Sequence, residues 1–384
     1  MKALIRFIKR LILAIVLLIA ILYIFDYDYM LKAVRTIYMQ GHSTAFLDDF
    51  KEFDNDTIEA GTPQPWPLHA QYNSVEPTAG LMEWHDKLGT VAFLIIKNDS
   101  IWYEKYYDGY DESSRSNSFS VAKSMVTSML GKAIMEGKVK GLQQPLSDFF
   151  PQFSEGYNAD VTVGDLASMA SGLDWDEAYY SPFSITTRAY FYDDLREMML
   201  DLDFKEEPGK DYKYLSGNTQ LLGMVLEKAT DKSLSDYLSD SFWKPMGAEH
   251  SAYWQLDDEE NGIEKAYCCV ATNARDFARF GKLYKDFGMW NGRKILDSAF
   301  VVRSITPRFK ESPQYGYGWW LPEHNGKQFF MMRGHLGQYI IVQPEDNLII
   351  VRLGHKNAKG PDPTIKFSDD IYAYIDEAYK MLSP

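Results

Sequence analysis

The stretch NSFSVAKSMVTSML, residues 117–130, turns extended chain into helix. Ahead of it, two apolar runs, Val91 to Ile96 and Ile101 to Tyr106, are parted by the turn KNDS, which is a hairpin signal. After Ser118 the period changes. Val121, Met125 and Met129, with Ala122, Val126, Ala133 and Ile134, share one face of a helix that stops near Gly137. At the join stand Ser120 and Lys123, three apart on one helical face, so that hydroxyl and amine come within hydrogen-bond reach. A serine in the first turn lies beside unpaired backbone N–H groups and the positive helix end, which stabilise negative charge and, with burial, push a lysine pKa down. These are the conditions a serine needs to become a nucleophile. The competing reading is an ordinary polar turn leading into a core helix, because S-x-x-K is a cheap pattern. A second copy, Ser241 to Lys244, stands at the far end of its helix and just before a proline, where the dipole has the wrong sign.

Working outward, the middle of the chain to about Phe300 reads as mainly helical, with VTVGDLASMASGL, NTQLLGMVLEKA, SLSDYLSDSFW and ATNARDFARFGKLYKDF each bounded by Gly, Pro or Ser/Thr. The last third returns to strands, KQFFMMRG, GQYIIVQP and LIIVRLGH, before a closing helix SDDIYAYIDEAYKML. Strands at both ends around a helical middle predict an α+β fold. In it an antiparallel sheet, flanked by helices, brings N- and C-terminal strands together, and an all-helical subdomain is inserted between them. A cleft is expected where sheet and insert face each other.

The N-terminus predicts a membrane segment. MKALIRFIKR carries four basic side chains, and LILAIVLLIAILYIF (Leu11 to Phe25) follows without a charge. Fifteen residues span about 22 Å as helix, and Leu4, Ile5, Phe7 and Ile8 extend the run while Lys9 and Arg10 snorkel. LYIFDYDYM offers no small-x-small cleavage site, so residues 1–25 are read as an uncleaved anchor rather than a signal peptide. The basic flank stays in the cytoplasm and the catalytic part lies on the periplasmic or extracellular side of the inner membrane. Residues 26–80, mixed and rich in turn formers, read as a stalk that becomes an extended wrap, and residues 81–384 as the main domain.

With 46% hydrophobic residues, 384 residues can bury a large core. The net charge of −14 and the lack of a basic run beyond the first dozen residues argue against nucleic acid as a partner. The only cysteines, Cys268 and Cys269, are adjacent, and are expected to be small buried residues rather than a disulfide. No His, Cys or acidic spacing implies a metal, and no cofactor is implied. The charge run DWDEAYY (Asp174 to Tyr180) is either a cleft lining or simply solvated, and the second is the default for a loop.

PGKDYKYLSGNTQLLG places Tyr214 just before a helix, where a phenol can relay a proton, and RGHLGQYIIV places Gly337 and Gln338 at a strand start, where a backbone N–H can join that of Ser120 in an oxyanion hole. SVAK, YLS and HLG, in this order and with this spacing, together with VTVGDLASMASGLDW, NARDFARFGKLY, YGYGWW and GHLGQYIIVQPEDNLIIV, resemble the serine β-lactamase and penicillin-binding-protein superfamily over about residues 88–355. The likeness is strongest to its class C-like branch and the 6-aminohexanoate-dimer hydrolases and related esterases. It implies Ser120 as nucleophile, Lys123 as base and Tyr214 as proton relay, in a hydrolase acting on a small ester or amide through an acyl-enzyme. Two rival functions are a D,D-peptidase or peptidoglycan-modifying esterase, and a catalytically silent scaffold. Two departures stand out: Ser216 takes the place of an asparagine, and His335, with Leu336 and Gly337, stands where the family has Lys-Thr-Gly. A group mostly neutral at pH 7 there predicts poor grip on a penicillin carboxylate.

Overall fold

A computed structural model describes residues 1–259, 262–360 and 367–383. Its centre is a five-stranded antiparallel sheet in the spatial order Phe330–Gly334, Gln338–Gln343, Leu348–Gly354, Thr90–Lys97, Ser100–Tyr106. The C-terminal strand Leu348–Gly354 runs beside the N-terminal strand Thr90–Lys97, with Ile350 opposite Ile95, so the two ends of the domain close one sheet as the sequence predicts. The hairpin between Lys97 and Ser100 turns on Asn98 and Asp99, both at positive φ (51° and 60°), the two-residue geometry that matches strand twist.

Both faces of this sheet are covered. Phe93 and Ile95 pack with Leu81, Tyr374 and Ile375 from the helices Ala79–Leu88 and Asp369–Leu382, whereas Leu94 and Ile96 join the main core with the helices Val121–Met135 and Ala274–Lys285. Double coverage explains why these strands read as continuous apolar runs rather than alternating ones. The helix Val121–Met135 is buried on nearly every side, Ser124, Thr127 and Ser128 included, because it lies between the sheet and the helical insert. Its polar residues are satisfied internally: Ser124 Oγ donates to Gly318 O at 2.6 Å and Ser128 Oγ to Ser124 O at 2.8 Å.

A second sheet draws two of its four strands from the part read as helical. Its four short antiparallel strands run Asn55–Ile58, Ala252–Gln255, Val270–Thr272, Ser116–Asn117. Strands of two to four residues carry too little periodicity to register in sequence. Their pairing ties the segment before residue 80 to the strand Ser116–Asn117, which leads into the turn at Ser120. That segment also holds a helix Tyr29–Ala33 running into a π-helical turn Val34–Tyr38, and Trp66, whose indole donates to Arg275 O at 2.9 Å. The helix Lys2–Ile24 is long and apolar enough to span a membrane or to act as a signal sequence, and buries none of its residues.

Cys268 and Cys269 are joined in a disulfide, with Cα atoms 3.7 Å apart. This corrects the expectation of two unpaired buried thiols. Both side chains are buried, as anticipated, and Cys269 takes a positive φ of 75°, a backbone state that sequence spacing does not reveal.

Candidate active site

The strand Ser116–Asn117 leads into the turn Ser118-Phe119-Ser120. Phe119 takes φ 44°, rare for an aromatic residue, and the surrounding bonds hold it there: Ser118 N donates to Val270 O, Ser118 Oγ accepts from Val270 N, and Phe119 N donates to Asn117 Oδ1. This elbow delivers Ser120 to the N-cap of the helix Val121–Met135, with its side chain making no capping bond. The hydroxyl is therefore left for other partners.

Lys123, 2% exposed, places Nζ 2.8 Å from Ser120 Oγ and donates to Tyr267 O at 2.9 Å. Burial lowers its pKa to about 8, against the opposing pull of the Glu177 carboxylate. Tyr214, immediately ahead of the helix Ser216–Thr230, hydrogen-bonds Ser120, and the Lys123 ammonium lies 5.1 Å from its ring centroid. Burial raises the Tyr214 phenol well above its usual value, so it stays protonated and able to donate. A hydroxyl and an amine from the start of one helix and a phenol from the chain just ahead of another thus converge on one point.

Ser216 and His335 also reach this site. Ser216 N and Oγ both donate to Glu177, at 2.7 and 2.5 Å, and Tyr179 OH donates to the same carboxylate at 2.6 Å. Sequence reasoning passed over Glu177 because acidic loops are usually solvated. The signal was its nearness to aromatic residues in DWDEAYY, and folding turns it inward onto the Ser216 helix start, where backbone N–H groups favour an anion. His335 is boxed by Phe119 and Tyr179, its ring 5.5 and 5.6 Å from theirs. Burial lowers its pKa to about 4, which keeps it neutral, and its Nε2 has no hydrogen-bond partner.

Gly337 and Gln338 do not join the cleft. Gly337 O accepts from Arg352 Nη1 at 2.9 Å, and the Gln338 carboxamide turns to His335 O and Gly354. Gly337 has φ 84°, and a Cβ there would sit 2.1 Å from Arg352 Nη1. The strand that borders Ser120 is instead Phe330–Gly334, whose last residue comes so close to Ser118 that a Cβ would lie 2.3 Å from its carbonyl oxygen. The alignment with Lys-Thr-Gly is therefore displaced: Arg333, Gly334 and His335 line the cleft with Tyr214, Trp320 and Tyr339. A permanent cation, Arg333, is among these lining residues, its guanidinium 5.0 Å from the Trp320 ring centroid.

Among the described residues no cluster of three His, Cys, Asp or Glu side chains could hold a metal ion. The second S-x-x-K copy lies elsewhere, with Lys244 paired to Asp240 at 2.8 Å on the surface.

The family model for Beta-lactamase matches residues 78–371. The chain belongs to the beta-lactamase family. It is 25% identical over 297 residues to 6-aminohexanoate-dimer hydrolase of Paenarthrobacter ureafaciens, covering 71% of this chain and 74% of that one. A shorter match, 25% over 177 residues, joins it to Protein flp of Staphylococcus aureus, covering 43% of this chain and 35% of flp. Among solved structures, a Bacillus anthracis protein provisionally assigned as a 6-aminohexanoate-dimer hydrolase superposes with TM-score 0.73 at 21% identity, over 92% of this chain and 93% of that one. A class C beta-lactamase does so with TM-score 0.59 at 18% identity, over 79% and 93%. These two likenesses carry the fold, which is that of a family of serine hydrolases.

Proposed function

We propose that this beta-lactamase family member is a serine hydrolase that cleaves an ester or amide through an acyl-enzyme on Ser120. The convergence of Ser120, Lys123 and Tyr214 carries the reading. A lysine pKa of about 8 leaves a useful fraction of neutral amine near pH 7 to 8, and its N–H bond to Tyr267 O directs the lone pair toward Ser120. The neutral amine takes the Ser120 proton as Oγ bonds to the substrate carbonyl carbon. Tyr214 gives its proton to the departing oxygen or nitrogen as that bond breaks and regains one from the Lys123 ammonium, which holds the proton taken from Ser120, whose Oγ is by then acylated. Water then repeats the sequence in reverse to free the acid. The amides of Ser120 and of His335, which follows the wedge made by Gly334, are assigned to the developing oxyanion in place of Gly337 and Gln338.

Fluorophosphonate labelling of the folded protein followed by peptide mapping tests the reading. The adduct is expected on Ser120 and is expected to vanish in Ser120→Ala. Labelling that is absent, or that survives Ser120→Ala unchanged, would sink it.

A further inference from the structure

Two pockets meet at Ser120 and share Tyr179, Tyr180 and His335. Tyr214 lines only the one that also holds Trp320 and Arg333. If Tyr214 protonates the leaving group, the leaving group occupies that half, and the acyl group occupies the other. The other half is a cavity of about 150 Å³ with a mostly apolar lining. None of the described residues lining it is Asp, Glu, Lys or Arg, and an apolar cavity of about this size holds a benzene-sized guest. Two of its buried polar atoms, the Tyr267 hydroxyl and His335 Nε2, have no partner, enough to orient a ligand but not to neutralise a charge.

One wall of this cavity comes from outside the family domain. Ala33, Ile37, Tyr38, Thr44 and Ala45 line it, all ahead of residue 78, where the family match begins. The wall is fastened to the helical insert. Tyr29 OH donates to Pro182 O at 2.9 Å, Lys32 Nζ donates to Asp257 O at 2.9 Å, and Tyr29 and Ile37 pack with Phe191.

We infer, resting on the serine hydrolase reading above, that this cavity takes an uncharged, mainly hydrocarbon acyl group of about six carbons, and that the chain's own segment from Ala33 to Ala45 sets that length. A terminal ammonium, as a 6-aminohexanoyl group carries, would enter with no carboxylate among the described lining residues to pair with. The substrate class is therefore medium-chain acyl esters or amides, not aminoacyl ones.

The test measures kcat/KM of the full chain in detergent on para-nitrophenyl esters of acetyl, butyryl, hexanoyl, decanoyl and 6-aminohexanoyl groups. Hexanoyl is expected to exceed both acetyl and 6-aminohexanoyl by about tenfold or more. Ala33→Phe, which fills the cavity, is expected to lower the hexanoyl-to-acetyl ratio, and Ile37→Ala, which enlarges it, to raise the decanoyl-to-hexanoyl ratio. A flat chain-length profile, a preference for 6-aminohexanoyl, or wild-type ratios in both folded variants would overturn the proposal while fluorophosphonate still labels Ser120. The first two arms use only the wild-type protein and do not depend on either variant folding. Loss of Ser120 labelling in the wild type would instead remove the reading on which the proposal rests.

Discussion

The chemistry proposed at Ser120 depends on one amine being less basic than usual. Lys123 is buried beneath the serine, and desolvation outweighs the attraction of Glu177. The sign for activity follows directly: the base is the neutral form, so kcat/KM is expected to rise with pH through about 8 and level off above it. Replacing Glu177 with Gln removes the anion that favours the ammonium, so the rising limb should move to lower pH, while a Gln oxygen still accepts from Ser216. A limb that stays in place would show that Glu177 does not act on Lys123 electrostatically. Ser120→Ala and Lys123→Met are each expected to cost roughly 10³-fold or more in kcat and, as members of one unit, to cost little more together than singly. His335, held neutral well below its ordinary pKa, should contribute no titration between pH 6 and 9, which single-residue NMR of the imidazole can check.

At the scale of elements, the site is made where the elbow Ser118-Phe119-Ser120 meets the strand Phe330–Gly334. Their closeness rests on Gly334. An alanine there would put Cβ 2.3 Å from Ser118 O, a backbone atom that cannot swing aside. Gly334→Ala is expected to destabilise by about 1–3 kcal/mol, as overpacking does, and to reduce activity more than stability alone accounts for, because the wedge separates Ser120 from the His335 amide. Urea unfolding beside kcat/KM at full folding would separate the two. Gly318 shows the same constraint on the buried side of the helix Val121–Met135, with φ 76° and a notional Cβ 2.2 Å from Thr127 Oγ1. The two S-x-x-K copies differ by element, not by residue type. Ser120 begins a helix beneath a sheet, whereas Ser241 lies in a π-helical turn whose lysine pairs with Asp240 in solvent.

For the whole molecule, the segment ahead of residue 78 joins a membrane-compatible helix to a wall of the cleft. Only nine residues separate Ile24 from the turn Val34–Tyr38, and the exposed side chains Tyr38 and Tyr180 line the cavity. If Lys2–Ile24 anchors the protein, the full chain is expected in the membrane pellet after alkaline carbonate washing, with its N-terminal residues retained on sequencing. Ile15→Lys combined with Leu18→Lys should release it, since each mid-helix lysine costs about 2.5–3.5 kcal/mol of insertion. A mature N-terminus beyond residue 25 would show a signal sequence instead.

The sequence by itself determined the sheet-forming ends, the helical middle and the pairing of Ser120 with Lys123, because hydrophobic period and i, i+3 spacing are local quantities written directly in residue order. It also held Tyr214 in its place before a helix. Only the tertiary structure decided that Glu177 turns inward, that Arg333 and Gly334 rather than Gly337 and Gln338 border the serine, and that Ala33 to Ala45 wall the cavity. Those outcomes depend on which surfaces meet across separations from 39 residues, for Glu177 and Ser216, to more than two hundred, for Ser118 and Gly334. A contact of that range leaves no periodic trace in either partner, and its energy exists only once the rest of the core has brought the two together.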